Sequence, residues 1–259
     1  MLVLSQDVTE RDRAEQMRRD FVANVSHEMR TPLTVVSGFI ETLASIPMSD
    51  SDRQGMLGMM ETQTQRMQAI VADLLTLAEL EGGAMPPLDV WTDCHSLLAR
   101  AADTGRGLSA GGHDISLQSG PLCELAGADS ELLSAVDNLV SNACRYTPPG
   151  GVIVIGQRMT PAGGVVIEVT DNGPGIAPEH LPRLTERFYR VDSGRSREHG
   201  GTGLGLSIVK HVMQRHGGRV DIQSELGKGS CFSLELPPAR VRRDSQPVGA
   251  GQAVQAPTR

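Results

Sequence analysis

The feature that most constrains the fold is an apolar stripe that begins just after Phe21. Its members follow one another at intervals of three and four residues, a spacing that places side chains on one face of an α-helix. They are Val22, Val25, Met29, Leu33, Val36, Ile40 and Leu43. We therefore predict a long helix from about Arg11 to Ala44, which Pro32 kinks by removing one backbone hydrogen bond.

His27 lies off this stripe. At about 100° per residue, its side chain points roughly 160° away from the centre of the stripe, so it should face outward. Glu28 follows it directly and can reach the flank of the imidazole, while Thr31 lies one turn further on the same face. A structural histidine would lie on the stripe, so the pattern favours a reactive histidine, although single exposed histidines are common.

A second helix should begin near Ser51 or Asp52, after a break at residues 46–50 that contains Pro47. Its apolar positions form a heptad seam, with Thr64 filling one gap. The seam consists of Leu57, Met60, Thr64, Met67, Val71, Leu74 and Ala78. Two antiparallel helices cannot bury both stripes alone, so we predict a homodimeric four-helix bundle through residues 11–83.

Composition excludes several classes of protein. A net charge of −7 and a pI of about 5.5 give no support for a nucleic-acid-binding surface. The four cysteines are scattered, without a CxxC pair, which disfavours a disulfide framework or a zinc site. No apolar run approaches the ~20 residues of a membrane span, and no signal peptide is evident. We expect cytoplasmic material, attached to a membrane only through segments that this chain lacks.

The chain changes character after the linker at residues 82–87. Short strands and helices alternate there, which indicates an α+β domain rather than a doubly wound parallel sheet. We predict strands at 90–93, 113–117, 122–127, 151–155, 165–169, 219–224 and 230–236, and helices at 94–102, 129–144 and 202–216. Asp129 should cap its helix, residues 176–200 should form a long loop, and residues 238–259 should be disordered.

The predicted helix 129–144 carries two asparagines, Asn138 and Asn142, four residues apart on one face. Amide oxygens at this spacing can ligate Mg²⁺, which prefers oxygen ligands and often bridges nucleotide phosphates. The alternative is that both are ordinary surface asparagines. Because asparagine is a poor helix former, two of them in one helix favour a functional role.

Three further stretches suggest a nucleotide site. Asp171–Ile176 follows a strand, where a carboxylate can accept a hydrogen bond from the exocyclic amine of adenine, although a plain Asn-Gly turn would look alike. Arg187–Arg190 groups aromatic and basic side chains, and its alternative role is to anchor a loop. Gly201–Leu206 opens a helix, where backbone N–H groups can bind an anion. This run is neither a Rossmann fingerprint nor a Walker A loop.

Ser26–Leu33, the asparagine helix and these three stretches resemble, in order, the H, N, G1, F and G2 boxes of sensor histidine kinases. The sequences of Phe21–Val25 and Leu181–Asp192 resemble the phosphate-regulon group in particular. The resemblance implies a helical hairpin followed by an α+β sandwich of the histidine-kinase, Hsp90 and gyrase ATPase type. It divides the chain into a dimerisation and histidine phosphotransfer domain at 11–83 and a catalytic ATP-binding domain at 84–237. Residues 1–10 resemble the exit from a sensor domain, an ordinary N-terminal arm being the alternative.

The resemblance also assigns roles to residues. It implies that His27 accepts the phosphoryl group, that Glu28 handles the ring proton, and that Thr31 helps place water for dephosphorylating a response regulator. It implies that Asn138 and Asn142 hold Mg²⁺, while Arg145, where lysine is commoner, faces phosphate. The remaining ATP-binding residues that it implies are Tyr146, Asp171, Gly173, Gly175, Ile176, Arg187, Phe188, Gly201, Thr202, Gly203, Leu204, Gly205 and Leu206.

The favoured function is therefore ATP-dependent autophosphorylation on histidine, with transfer to an aspartate of a response regulator. Phosphatase activity toward that regulator is a further expectation. An ATP-driven conformational machine related to Hsp90 or gyrase is the first alternative, and the outward-facing His27 disfavours it. A non-catalytic dimerising scaffold is the second, and the full set of nucleotide motifs disfavours it.

Overall fold

The computed structural model describes residues 9–191 and 201–243. The helices are α1 (Thr9–Ser45), α2 (Asp50–Gly82), α3 (Cys94–Ser109), α4 (Asp129–Tyr146) and α5 (Gly205–Arg215). The strands are β1 (Trp91–Asp93), β2 (Asp114–Leu117), β3 (Cys123–Ala126), β4 (Val152–Met159), β5 (Val165–Asp171), β6 (Arg219–Glu225), β7 (Gly229–Leu236) and β8 (Val241–Arg243). The predicted structure of residues 1–8, and that of residues 192–200 and 244–259, lies outside this description.

The described residues form two compact units. The first contains those of 1–84, 175–212 and 224–227, and the second those of 85–174, 213–223 and 228–243. In the first unit, α1 and α2 form the predicted helical hairpin, and α2 begins at a cap in which the Ser49 side chain accepts a hydrogen bond from the Asp52 backbone N–H at 3.1 Å. Helix α1 continues through Pro32.

Helices α1 and α2 bury one face of each helix against the other, and we call this the inner face of the hairpin. On α2 this face is a stripe offset by one residue from the predicted seam, and its buried members are Arg66, Ile70, Leu77 and Leu80. The seam itself is left largely open in the single chain, with Leu57 43% and Val71 44% exposed. The hairpin therefore carries two apolar faces and covers only one of them.

The second unit is built on a five-stranded sheet in the order β2-β4-β5-β7-β6. Strands β2 and β4 are parallel, whereas β4, β5 and β7 pair antiparallel. Helices α3 and α4 pack on each other and against this sheet. Fully buried side chains from these helices and strands form the core of the second unit, among them Leu97, Leu139, Ile153 and Ile167. The mixed arrangement confirms the predicted α+β class.

A second, three-stranded sheet has the order β1-β3-β8 and corrects the predicted tail. Residues 238–243 were predicted to be disordered, yet they form a short 3-10 turn and then β8, which pairs antiparallel with β3. The buried Arg240 secures this end of the chain by donating hydrogen bonds to the carbonyl oxygens of Pro86, Pro87 and Ala126 at 3.1, 2.7 and 3.2 Å. Burial lowers the pKa of Arg240 from its ordinary value.

Two helix starts also differ from prediction. Asp129 does not cap α4, because the cap position is Ala128 and the Asp129 carboxylate instead forms a two-pronged ion pair with Arg100 of α3, at 2.9 Å for each contact. Helix α5 begins at Gly205 rather than Thr202, since residues 201–204 form an irregular loop. Within the described ranges, no helix is long and apolar enough to cross a membrane.

Candidate functional site

His27 occupies the predicted outward position on α1. His27 is exposed, and its imidazole forms no hydrogen bond within residues 9–191 and 201–243. Thr31, also exposed, donates from Oγ1 to the His27 carbonyl oxygen at 3.2 Å. The imidazole is therefore open to an incoming reactant, as the pattern predicted.

Glu28 has a different environment from its neighbour in sequence. Its carboxylate accepts a hydrogen bond from Nη2 of Arg66 on α2 at 2.6 Å. The Arg66 side chain is only 7% exposed and that of Glu28 27%. Sequence reasoning missed Arg66, although a basic residue four positions before Ile70, on the same helix face, is a signal that could have drawn attention to it.

The two asparagines of α4 are both half-buried. Asn138 donates from Nδ2 to the carbonyl oxygen of Ser134 at 2.9 Å, which leaves its Oδ1 as an available acceptor. In the described part of the chain, no group of three or more His, Cys, Asp or Glu side chains could hold a metal ion. Amide oxygens are ligands that Mg²⁺ accepts, and binding of Mg²⁺ by Asn138 and Asn142 stays a prediction.

Asp171 ends β5 and is 8% exposed. Its Oδ1 accepts a hydrogen bond from the Gly173 backbone N–H at 2.8 Å, and the Ser230 backbone N–H supports it as well. Burial raises the pKa of Asp171, and these two hydrogen bonds only partly oppose the rise. A buried carboxylate fixed in this way can select a hydrogen-bond donor on a flat ligand.

The ends of α4 and β5 meet at a close approach of backbone. A Cβ added to Gly173 would lie 3.3 Å from the Tyr146 carbonyl oxygen and 2.8 Å from the Asp171 carboxylate. Tyr146 is 47% exposed, and Arg145 beside it is half-buried. The structure thus brings Tyr146, Asp171 and Gly173 together, and their role in binding a nucleotide stays a prediction.

In the first unit, the glycine-rich loop contacts the predicted aromatic stretch. The Phe188 N–H donates to the Gly203 carbonyl oxygen at 2.8 Å, and a Cβ on Gly203 would meet the Phe188 backbone at 2.9 Å. Both residues have a positive φ, 75° for Gly203 and 62° for Phe188. Thr202 accepts a hydrogen bond from the Leu204 N–H at 3.2 Å and donates one to Asp73 at 2.6 Å.

The other predicted residues of this unit have mixed exposure. Gly201 and Leu204 are buried, whereas Gly175, Ile176, Gly205 and Leu206 are half-buried. Gly175 has a φ of 70°, and a Cβ there would overlap the Glu225 carbonyl oxygen. This position therefore requires glycine, which explains its place in the motif.

Arg187 and Phe188 contact protein groups. The Arg187 guanidinium forms an ion pair with Glu81 and lies 5.0 Å from the Phe21 ring centroid. The ring of Phe188 lies 5.9 Å from that of Phe21. Nearby, the hydroxyl of Tyr189 and Nδ1 of His180 are 2.7 Å apart. These contacts agree with the loop-anchoring alternative for this stretch, and an ATP-binding role for Arg187 and Phe188 stays a prediction.

Comparison with known families identifies two regions of the chain. Residues 17–83 match the family described as the His Kinase A (phospho-acceptor) domain. Residues 127–240 match the family described as histidine kinase-, DNA gyrase B- and HSP90-like ATPase. The first match contains His27, and the second contains the asparagine, aspartate and glycine motifs.

Individual relatives agree with these matches. The phosphate regulon sensor protein PhoR of Pseudomonas aeruginosa is 49% identical over 243 residues, which cover 93% of this chain and 54% of that protein. The sensor-like histidine kinase SenX3 of Mycolicibacterium smegmatis is 39% identical over 240 residues, covering 91% of this chain and 62% of that protein. The chain thus spans about half to three fifths of the length of these relatives.

A solved structure extends the likeness to three dimensions. Full-length ShkA in complex with AMPPNP is 29% identical and superposes with a TM-score of 0.61, covering 88% of this chain and 46% of that one.

Proposed function

Because the chain belongs to the sensor histidine kinases, we propose that it transfers the γ-phosphoryl group of ATP to His27 and passes it on to an aspartate of a response regulator. The observation that carries this proposal is the exposed imidazole of His27 on a chain that also contains the ATPase domain at residues 127–240. An exposed, uncommitted imidazole nitrogen can act as a nucleophile when it is neutral.

The chemical step places specific demands on the residues around His27. The imidazole nitrogen attacks the γ-phosphorus, a nitrogen–phosphorus bond forms, and the bond from that phosphorus to the bridging oxygen breaks, so that ADP leaves. Glu28, the adjacent carboxylate, accepts the proton that the ring must lose. Thr31, exposed one turn away, helps to place a water molecule when a response regulator is dephosphorylated.

ATP binding is assigned to the motifs of the ATPase domain. Asp171 accepts a hydrogen bond from the exocyclic amine of adenine, and Gly173, Gly175 and Ile176 give the ring room. Asn138 and Asn142 hold Mg²⁺, which neutralises phosphate charge when bound. Arg145 and Tyr146 border the nucleotide, and the loop at residues 201–206 binds phosphate through backbone N–H groups. Arg187 and Phe188 are the remaining residues to which we assign a role in ATP binding.

Assembly and biological setting are also part of the proposal. The exposed seam of α2 supports a homodimer in which two hairpins form a four-helix bundle. Identity of 49% to the phosphate regulon sensor protein PhoR supports a phosphate-regulon type of signalling, and the proposal includes phosphatase activity of this chain toward its regulator. We place this part of the protein in the cytoplasm, where ATP and response regulators are found.

The experiment that tests this function is incubation with γ-labelled ATP, followed by acid and alkali treatment of the protein. We expect an alkali-stable, acid-labile label on the unmodified chain and none on His27→Ala, which should still bind ATP because the nucleotide motifs lie beyond residue 127. Label on His27→Ala would refute the role of His27. Free phosphate without label would favour an ATPase machine, and neither product would favour a scaffold.

A further inference from the structure

The ion pair between Glu28 and Arg66 lies on the inner face of the helical hairpin, beside apolar side chains of both helices. Glu28 shares the inner side of α1 with Val25 and Pro32, three residues before it and four after it, which are half-buried and buried. Arg66 shares the inner stripe of α2 with Ile70, which is 0% exposed. A charged pair at such a place is weak evidence for stability, because desolvation offsets much of its attraction. Its presence calls for another explanation.

The pair also determines where the Glu28 carboxylate points. The contact of 2.6 Å to Arg66 holds it against α2, whereas His27 lies about 100° further round α1 and faces outward. No hydrogen bond joins Glu28 to the His27 ring within the described residues. In this arrangement, the carboxylate proposed to accept the ring proton is turned toward a different partner.

Arg66 is well fixed in its position. Its side chain is 7% exposed, and its Nε is buried without a hydrogen-bond partner. A guanidinium with one N–H already unsatisfied has little alternative to Glu28 inside the hairpin. Glu28, by contrast, is 27% exposed and can turn outward by a change of side-chain rotamer.

We infer that Arg66 is a positioning residue that holds Glu28 in a resting orientation, and that this ion pair must open before Glu28 can accept the proton from His27. This inference rests on the proposed function. It predicts that weakening the pair speeds phosphorylation of His27, the reverse of what loss of a supporting contact would do. A signal that shifts α1 relative to α2 would act on the same pair.

The test is the initial rate of His27 labelling at saturating ATP in the full chain. Arg66→Met keeps the apolar stem, and Arg66→Gln keeps a neutral donor. We expect at least one of them to label about twofold to fivefold faster than the unmodified chain, because an ion pair of modest strength must break before reaction, with the KM for ATP unchanged. Arg66→Lys should restore the slower rate. Arg53→Met serves as a matched control, because it deletes an exposed ion pair with Asp50 on the same helix.

A double variant shows whether the effect passes through Glu28. In a Glu28→Gln background, Arg66→Met should no longer raise the rate. The inference is overturned if neither Arg66 variant is faster than the unmodified chain, or if the gain persists without Glu28. Absence of any acid-labile label on the unmodified chain would instead refute the proposed function, and this inference with it.

Discussion

The buried carboxylate of Asp171 accepts a hydrogen bond of 2.8 Å from the backbone N–H of Gly173, two residues later in the chain. The same turn approaches the Tyr146 carbonyl oxygen at the end of α4. The turn that follows β5 lies against the end of α4 and thus holds one carboxylate oxygen of Asp171 in a fixed direction.

Asp171→Asn should weaken ATP binding without unfolding the chain. Losing a hydrogen bond to a charged acceptor costs about 1.5–3 kcal/mol, or roughly one to two orders of magnitude in affinity. Titration with ATP measures the change, and Asp114→Asn, at an exposed position of β2, is the control. GTP should compete poorly, because guanine carries an oxygen at the position of the exocyclic amine of adenine and offers Asp171 no donor there. Equal binding of GTP and ATP by the unmodified chain would disprove this role.

The raised pKa of Asp171 predicts a particular pH dependence of stability. Between the ordinary value of 3.8 and the raised folded-state pKa, the folded protein binds more protons at this site than the unfolded chain does. The contribution of Asp171 to the free energy of unfolding therefore increases as the pH falls through this window and is lost as the pH rises through the folded-state pKa.

Urea unfolding across a series of pH values, followed by fluorescence of the single tryptophan, Trp91 in β1, measures this dependence. The difference in unfolding free energy between the unmodified chain and Asp171→Asn should change with pH in that window and be flat above it. A difference that is constant from acid to neutral pH would contradict the assignment.

Gly229→Ala should damage the site more than Gly227→Ala, although both glycines have a positive φ, 113° and 79°. Any L side chain at such angles costs about 1–3 kcal/mol, so this strain is common to the two variants. A Cβ on Gly229 would in addition overlap the Asp171 carbonyl oxygen, whereas one on Gly227 meets nothing within 4 Å. Urea unfolding and ATP titration of both variants should show the larger loss for Gly229→Ala, and equal losses would refute this account.

Leu57→Glu should separate the proposed dimer. Leu57 is 43% exposed in the single chain, so the substitution leaves the inner face of the hairpin intact but buries an unpaired charge at a four-helix interface. Gln65→Glu adds the same charge away from the seam and is the control. Sedimentation should show a monomer only for Leu57→Glu. Monomeric behaviour of the unmodified chain at micromolar concentration would refute the bundle.

The sequence by itself determined the order and type of most elements. Periodic apolar spacing depends on local helix and strand geometry, so α1, α2 and most of the strands follow directly from the pattern. The outward position of His27 and the motifs around Asn138, Asp171 and Gly203 were also evident, because each lies within a few consecutive residues. Local rules failed at element ends, where α5 begins three residues later than predicted.

The tertiary structure decided what depends on partners distant in sequence. Asp129 was predicted to cap a helix, but its carboxylate forms an ion pair with Arg100, 29 residues earlier in the chain. Strand β8 exists because the backbone of β3 pairs with it, which no side-chain pattern in residues 238–243 indicates. Glu28 similarly finds Arg66 only because the hairpin folds and brings together residues 38 positions apart. A periodic pattern specifies which face of a helix is apolar, whereas the partner of a charged side chain is set by packing.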